Sequence, residues 1–213
     1  MIRALVCCAA ALAACTTAQG RGLGDRPPPA LGEPAPTVDD PKAEAAYQDV
    51  LDRYSRRAEL YAGPEQGEDT RMFTAATYQS PAFREARVRR NAAFRAEPAE
   101  VVDKALAKER ADAEQFDDFY LGVHLVDYHY DDFDRPGSIW RVALVGGGAE
   151  ATPTRIERVG RANVTLRAIY PYLGDFWVAY RVRFPKLVQG RGAQLMLRLS
   201  STLGRVEMSF PAQ

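Results

Sequence analysis

Phe176-Trp177-Val178-Ala179-Tyr180-Arg181-Val182-Arg183-Phe184 alternates in period two. Phe176, Val178, Tyr180, Val182 and Phe184 fall on one side of an extended chain. Trp177, Ala179, Arg181 and Arg183 fall on the other. A dry side and a wet side on one strand is the pattern of antiparallel packing against a core. The rhythm continues downstream. Leu195, Leu197 and Leu199 alternate with Gln194, Met196, Arg198 and Ser200, and Val206, Met208 and Phe210 alternate with Arg205, Glu207 and Ser209. Upstream, Trp140, Val142 and Leu144 supply another inward row.

Turn chemistry separates these rows: Arg135-Pro136-Gly137, Gly146-Gly147-Gly148, the stretch from Pro171 to Gly174, and Leu203-Gly204. The spacing predicts about seven strands, over 119–128, 138–145, 153–159, 164–170, 175–184, 194–201 and 205–210. That pattern predicts an antiparallel β-sandwich of immunoglobulin-like kind over residues 117–213, without the inter-sheet cysteine pair of antibody domains. An outer-membrane barrel fits less well, because such barrels use an even set of strands with apolar residues facing lipid.

Residues 41–116 read as a helical segment, so the fold class is α+β. Asp39 or Asp40 caps a helix opening at Pro41. Tyr47, Val50, Leu51, Tyr54, Ala58 and Tyr61 recur at helical spacing, and Gly63-Pro64 is the stop. This stripe is read as packing on the core and not as a stacking platform for a ligand. Ser80-Pro81 is a second start, a capping residue followed by proline. The segment from Phe83 to Ala96 carries Arg84, Arg87, Arg89, Arg90 and Arg95. They suit anionic lipid headgroups, but a solvated face balanced by acidic neighbours is the expected reading. A third helix runs from Pro98 to about Gln115, with Val101, Val102, Ala105, Leu106 and Ala113 inward.

Residues 15–40 form a linker in which Gly20, Gly22, Gly24 and Gly32 are interspersed with Pro27, Pro28, Pro29, Pro34 and Pro36. Such a stretch buries too little apolar area to offset its ordering entropy, and is expected to be a disordered spacer. Ahead of it stands Met1-Ile2-Arg3, a short positive start, and then an apolar run from Ala4 to Ala14. The run is well short of the ~20 residues needed to span a bilayer. It ends in Leu12-Ala13-Ala14-Cys15. This resembles the lipobox of bacterial lipoproteins. The resemblance implies a signal peptide over residues 1–14, and diacylglycerol on the Cys15 sulfur as the tether. It implies a cell-envelope location with the membrane as one partner. Thr16 in place of Asp after the cysteine implies the outer membrane, by likeness to enteric lipoproteins. The body of the chain loosely resembles uncharacterised envelope lipoproteins, a likeness that implies no activity.

The 213 residues hold 28 Lys and Arg against 28 Asp and Glu, so the chain has no excess of cations for nucleic acid. Its three cysteines are Cys7, Cys8 and Cys15, which leaves no thiol for catalysis or metal binding downstream. The densest polar run is Asp127-Tyr128-His129-Tyr130-Asp131-Asp132-Phe133-Asp134, with His124 and Asp117-Asp118 nearby; the run and His124 hold both histidines of the chain. His129, Asp131, Asp132 and Asp134 are candidate ligands for a divalent cation. The details oppose it: Pro136 stands where a calcium loop continuing from Asp132 and Asp134 needs a ligand, and Ala143 stands where it needs glutamate. A polar loop between strands explains the run without a metal, and no cofactor is expected. There is neither a G-x-S-x-G elbow nor H-E-x-x-H. The expectation is a non-catalytic binding or structural module with an envelope protein or polymer as partner. The alternatives are a hydrolase of envelope polymer, metal-dependent or carboxylate-based through Asp127, His129, Asp131 and Asp132, and an assembly or secretion accessory.

Overall fold

The computed structural model describes residues 41–62, 69–187 and 194–211. The signal peptide expected over residues 1–14, Cys15 and the linker expected over 15–40 lie outside them. All described residues belong to one compact unit. They contain four helices and nine strands, and every strand pairing is antiparallel.

Helix α1 spans Pro41–Tyr54 and runs directly into strand β1, Ser55–Tyr61. Strand β2 is Thr70–Tyr78, α2 is Pro81–Arg95 and α3 is Ala99–Gln115. Strand β3, Phe116–Leu125, starts with no intervening residue. Then come β4 (Arg141–Gly146), β5 (Ala149–Ala151), β6 (Arg155–Arg161) and the short α4 (Val164–Ile169). Strands β7 (Val178–Pro185), β8 (Gln194–Ser201) and β9 (Gly204–Pro211) complete the described chain. One sheet has five strands in the order β1-β2-β3-β7-β6; the other has four, β5-β4-β8-β9. The fold is therefore α+β with two antiparallel sheets.

The alternating rows around Phe184, Leu197 and Met208 are strands as the pattern predicts, with Phe184, Leu195, Leu197, Leu199, Met208 and Phe210 buried. The Phe119 ring lies 5.9 Å from Phe184 of its own sheet and 5.2 Å from Phe210 of the other, so both sheets share this core. Gly147 and Gly148 join β4 to β5 with φ of 59° and 82°, the left-handed pair that a two-residue hairpin requires.

Several expectations need correction. Phe176, expected on the dry side, lies ahead of β7 and is 73% exposed, and Val101, expected inward on α3, is 49% exposed. The helix opening at Pro41 stops at Tyr54, not at Gly63. Tyr47, Leu51 and Tyr54 are the buried helical stripe; Ala58 and Tyr61 continue its spacing only by coincidence. From Ser55 the chain changes to period two: Leu60 is buried, Tyr61 is 54% exposed, and the seven residues pair with β2. Strand β2 itself went unread, because most of both its sides are buried and TRMFTAATY shows no clean alternation of polar and apolar residues. The region 41–116 thus supplies two strands to the larger sheet and is not solely helical. Finally, the strand expected over 164–170 is α4. Asn163 caps it, its Oδ1 accepting from the Leu166 amide at 2.9 Å, and this local bond outweighs the β-propensity of Val164 and Thr165.

The other helix boundaries follow from local chemistry. The Phe83 amide donates to Ser80 Oγ at 3.1 Å, with Pro81 in the first turn of α2. Where α3 meets β3, Asp117 is fully buried. Its carboxylate accepts from Tyr78 Oη at 2.8 Å, Lys186 Nζ at 2.9 Å and the Leu187 amide at 2.9 Å, tying β2 and the end of β7 to β3.

Candidate functional site

The acidic run does not assemble into a cluster. Asp127 accepts from the His129 amide at 3.1 Å and from His129 Nδ1 at 2.8 Å, which holds its carboxyl below the usual range. Asp131 faces the larger sheet, accepting from Tyr180 Oη at 2.5 Å and from Arg158 Nη2 at 2.8 Å. Asp132 accepts from Ser138 Oγ at 2.8 Å, and Asp134 is exposed. His124 is on β3, its ring 6.1 Å from that of Phe73. Phe133 and Trp140 stack at 4.9 Å beneath the loop, and Trp140 Nε1 donates to the Tyr130 carbonyl at 2.8 Å. The polar groups of this run thus shape the loop and, through Asp131, tie it to the larger sheet. Among the described residues no three His, Cys, Asp or Glu side chains come together as a metal cluster.

A different place gathers chemistry. Alternation along β3 sends Phe119, Leu121 and Val123 into the shared core and turns Asp118 and Tyr120 to the opposite side. Across the register, Asp118 faces Arg183 and Tyr120 faces Arg181 on β7; Arg155 and Glu157 of β6 continue the two rows. Helices α2 and α3 bring Arg84, Arg87, Lys108, Glu109 and Asp112 to the same side. Between them lies a cleft of about 290 Å³.

Its wall is an ion-pair network. Arg84, 4% exposed, donates to the Gln79 carbonyl, to Glu109 and to Asp118, each at 2.7 Å. Arg87 reaches Glu109 Oε1 at 2.7 Å and Gln79 Oε1 at 2.9 Å. Arg183 grips both oxygens of Asp118 at 2.8 Å, its guanidinium 4.3 Å from the Phe116 ring centroid. Such bidentate, partly desolvated pairs are the strong class of charged hydrogen bond. Here the arginines of α2 depart from expectation: Arg84 is buried against the sheet, whereas Arg89 and Arg95 remain solvated.

Two features of the cleft are unspent. Arg181 and Lys108 make no ion pair among the described residues, and both are exposed. Tyr120, only 4% exposed, stacks on Tyr170 at 4.0 Å, yet its hydroxyl finds no hydrogen-bond partner among the described residues. Burial and the neighbouring Tyr170 push this phenol up from its ordinary value, while Arg181 and Arg87 pull the other way. Its oxygen has almost no accessible surface, so it is enclosed beneath the cleft wall and not open to a ligand there.

Sequence reasoning missed this cleft. Arg181 and Arg183 were legible as a wet row, but nothing local says that helices some 70 to 100 residues upstream stand over it. One available signal was two arginines on a strand apolar enough to be central, since cations there must be paired or covered. No known protein family model matches the chain, and neither does any curated protein.

Proposed function

We propose that this chain is a lipid-anchored, non-catalytic binding module of a bacterial cell envelope. In this reading Cys15 carries the acyl tether, residues 16–40 space the folded unit from the membrane, and the cleft over the larger sheet is the binding site. The Leu12-Ala13-Ala14-Cys15 pattern supports the tether, and Thr16 in place of Asp after it supports the outer membrane as the location. The single observation that carries the binding site is the pair of exposed cations in the cleft lining, Arg181 and Lys108, that make no ion pair among the described residues. The two sheets are read as the layers of a β-sandwich, on the strength of the core that Phe119 and Phe210 share.

Two measurements test the reading. Cells given a clickable fatty acid should label the wild-type chain and not Cys15→Ser, and only the wild type should enter the detergent phase. Cross-linking of whole envelopes should then recover one reproducible component with the wild type and less of it with Arg181→Glu. Undiminished labelling of Cys15→Ser would remove the tether; identical cross-linking by Arg181→Glu would remove the cleft.

A further inference from the structure

Strand register gathers most of the exposed apolar side chains at one end of the five-stranded sheet. Tyr61 ends β1, opposite Thr70 at the start of β2. Met72 on β2 faces Leu125, the last residue of β3, and the Val126 amide donates to the Arg71 carbonyl at 3.1 Å. Val123 faces Val178, so Val126 after β3 and Phe176 before β7 leave the sheet at the same end. Arg161, which ends β6, also faces Val178, and Val164 is three residues further on. Tyr61, Val126, Tyr128, Val164 and Phe176 therefore share this end, and they are 54–77% exposed. They are five of the seven large apolar residues exposed among the described residues; the others are Val159 on β6 and Val101 on α3. Five strand ends at ~4.8 Å spacing make a rim ~19 Å long. Exposed apolar side chains gathered in this way mark an interaction surface, whereas scattered ones need no account.

Their mounting points to the occupant. Phe176 is on a turn closed by the Trp177 amide on the Gly174 carbonyl at 3.2 Å, Val164 opens α4 behind its Asn163 cap, and Val126 opens the loop after β3. Each stands on a separate tip, so together they offer points and not a groove. A rigid protein partner would need a matching hollow for each, whereas a fluid acyl layer closes around them all. Tyr61 and Tyr128 combine an apolar ring with a hydroxyl, a composition favoured at the interfacial level of a bilayer. Charges beside the row are answered within the chain: Arg167 pairs with Asp175 and His129 with Asp127.

We propose that this end of the five-stranded sheet docks on the lipid bilayer, with Phe176, Val164 and Val126 entering the acyl boundary. The proposal rests on the lipid-anchored reading and deepens it by naming the face turned to the membrane. The 25 residues 16–40 can span at most ~85 Å, more than the roughly 40 Å across a folded unit of this size. The tether thus lets this end reach the lipid. It also makes a weak insertion intramolecular, so that few side chains suffice. Asp118 and Arg183 lie toward the opposite ends of β3 and β7, so docking leaves the cleft in water.

The test places an environment-sensitive dye on Asp175→Cys, an exposed position beside Phe176, in the acylated full chain reconstituted in phosphatidylcholine vesicles. The control is Ser209→Cys, exposed and near the far end of β9; Arg71 binds the Leu203 carbonyl and so holds the start of β9 at the docking end. The dye at 175 should shift to the blue and be quenched by lipid brominated in its acyl chains. The dye at 209 should do neither. Phe176→Asp and Val164→Asp should each lower the docked-to-free ratio about tenfold or more, the factor for one apolar side chain returned to water. Added salt should change the ratio little, because the row itself is uncharged. Chain that floats with vesicles without a shift at 175, equal quenching at 209, or a signal abolished by salt would each overturn the proposal. A shift that appears without vesicles and grows with protein concentration would assign the row to a second copy, and overturns it too. Flotation without the shift removes the docking face and leaves the tether; loss of flotation removes both.

Discussion

The two sheets carry nearly the same charged hardware on their outer sides and do opposite things with it. On the four-stranded sheet, Arg141 and Arg198 pair with Glu150 at 2.6 and 3.0 Å, and Arg198 pairs with Glu207 at 2.9 Å. These contacts face water, with Arg141 68% exposed, so each is worth a few tenths of a kcal/mol to about 1 kcal/mol. On the five-stranded sheet, Arg84 and Asp118 meet at 2.7 Å with side chains only 5% and 14% exposed. A charge there has given up its hydration, and its partners hold it in place. The lesson is that a helix laid over a charged row turns decoration into structure, and leaves a cleft wherever the cover is incomplete.

The largest test of that contrast is Arg84→Ala. It strips Glu109, Asp118 and the Gln79 carbonyl of a buried donor, and breaking such a pair costs ~3–5 kcal/mol. Urea unfolding should show a lower midpoint by that amount. A change under ~1 kcal/mol would mean that the two sheets differ less than their burial suggests.

Gly122→Ala comes next. Gly122 is on the covered side of β3, and an added methyl would overlap Leu173 Cδ2 and press on Trp177 Cε3 at 3.1 Å. Overpacking of this kind costs ~1–3 kcal/mol, again read by urea unfolding.

Alkaline pH should act on the same side. Burial raises the phenols of Tyr120 and Tyr172 above their ordinary 10.0, whereas the strands of the smaller sheet hold no tyrosine. Above that value the unfolded chain loses protons that the folded chain keeps. Stability is therefore full below about pH 10 and falls as pH rises further, by ~1.4 kcal/mol per unit for each such tyrosine. Tyr120→Phe should flatten the decline in a pH series of unfolding midpoints.

The smallest effect belongs to the exposed sheet. Arg198→Ala should cost under ~1 kcal/mol, and added salt should shrink it further. A cost comparable to that of Arg84→Ala would erase the distinction between the two faces.

How much of this was legible depends on the range of the interaction. Strands β7, β8 and β9 were readable from alternation, and α2 and α3 from Ser80-Pro81 and the apolar spacing after Pro98, because those signals are local. The break at Tyr54 was not, since Tyr47, Leu51, Tyr54, Ala58 and Tyr61 satisfy a helix on paper. Only pairing with β2 shows that Ser55–Tyr61 is extended. The acidic run 127–134 drew attention by density, yet its groups bond to Ser138, Tyr180 and Arg158 and to each other. The cleft drew none, because its parts are scattered from Gln79 to Arg183.

The sequence by itself determined the apolar rows, the caps and the turns, all set by residues within a few positions of one another. The tertiary structure alone decided which charges would be desolvated. That depends on what packs above a side chain, and Arg84, Asp118 and Arg183 come from three separate elements whose shared environment exists only once α2 has settled against β3 and β7.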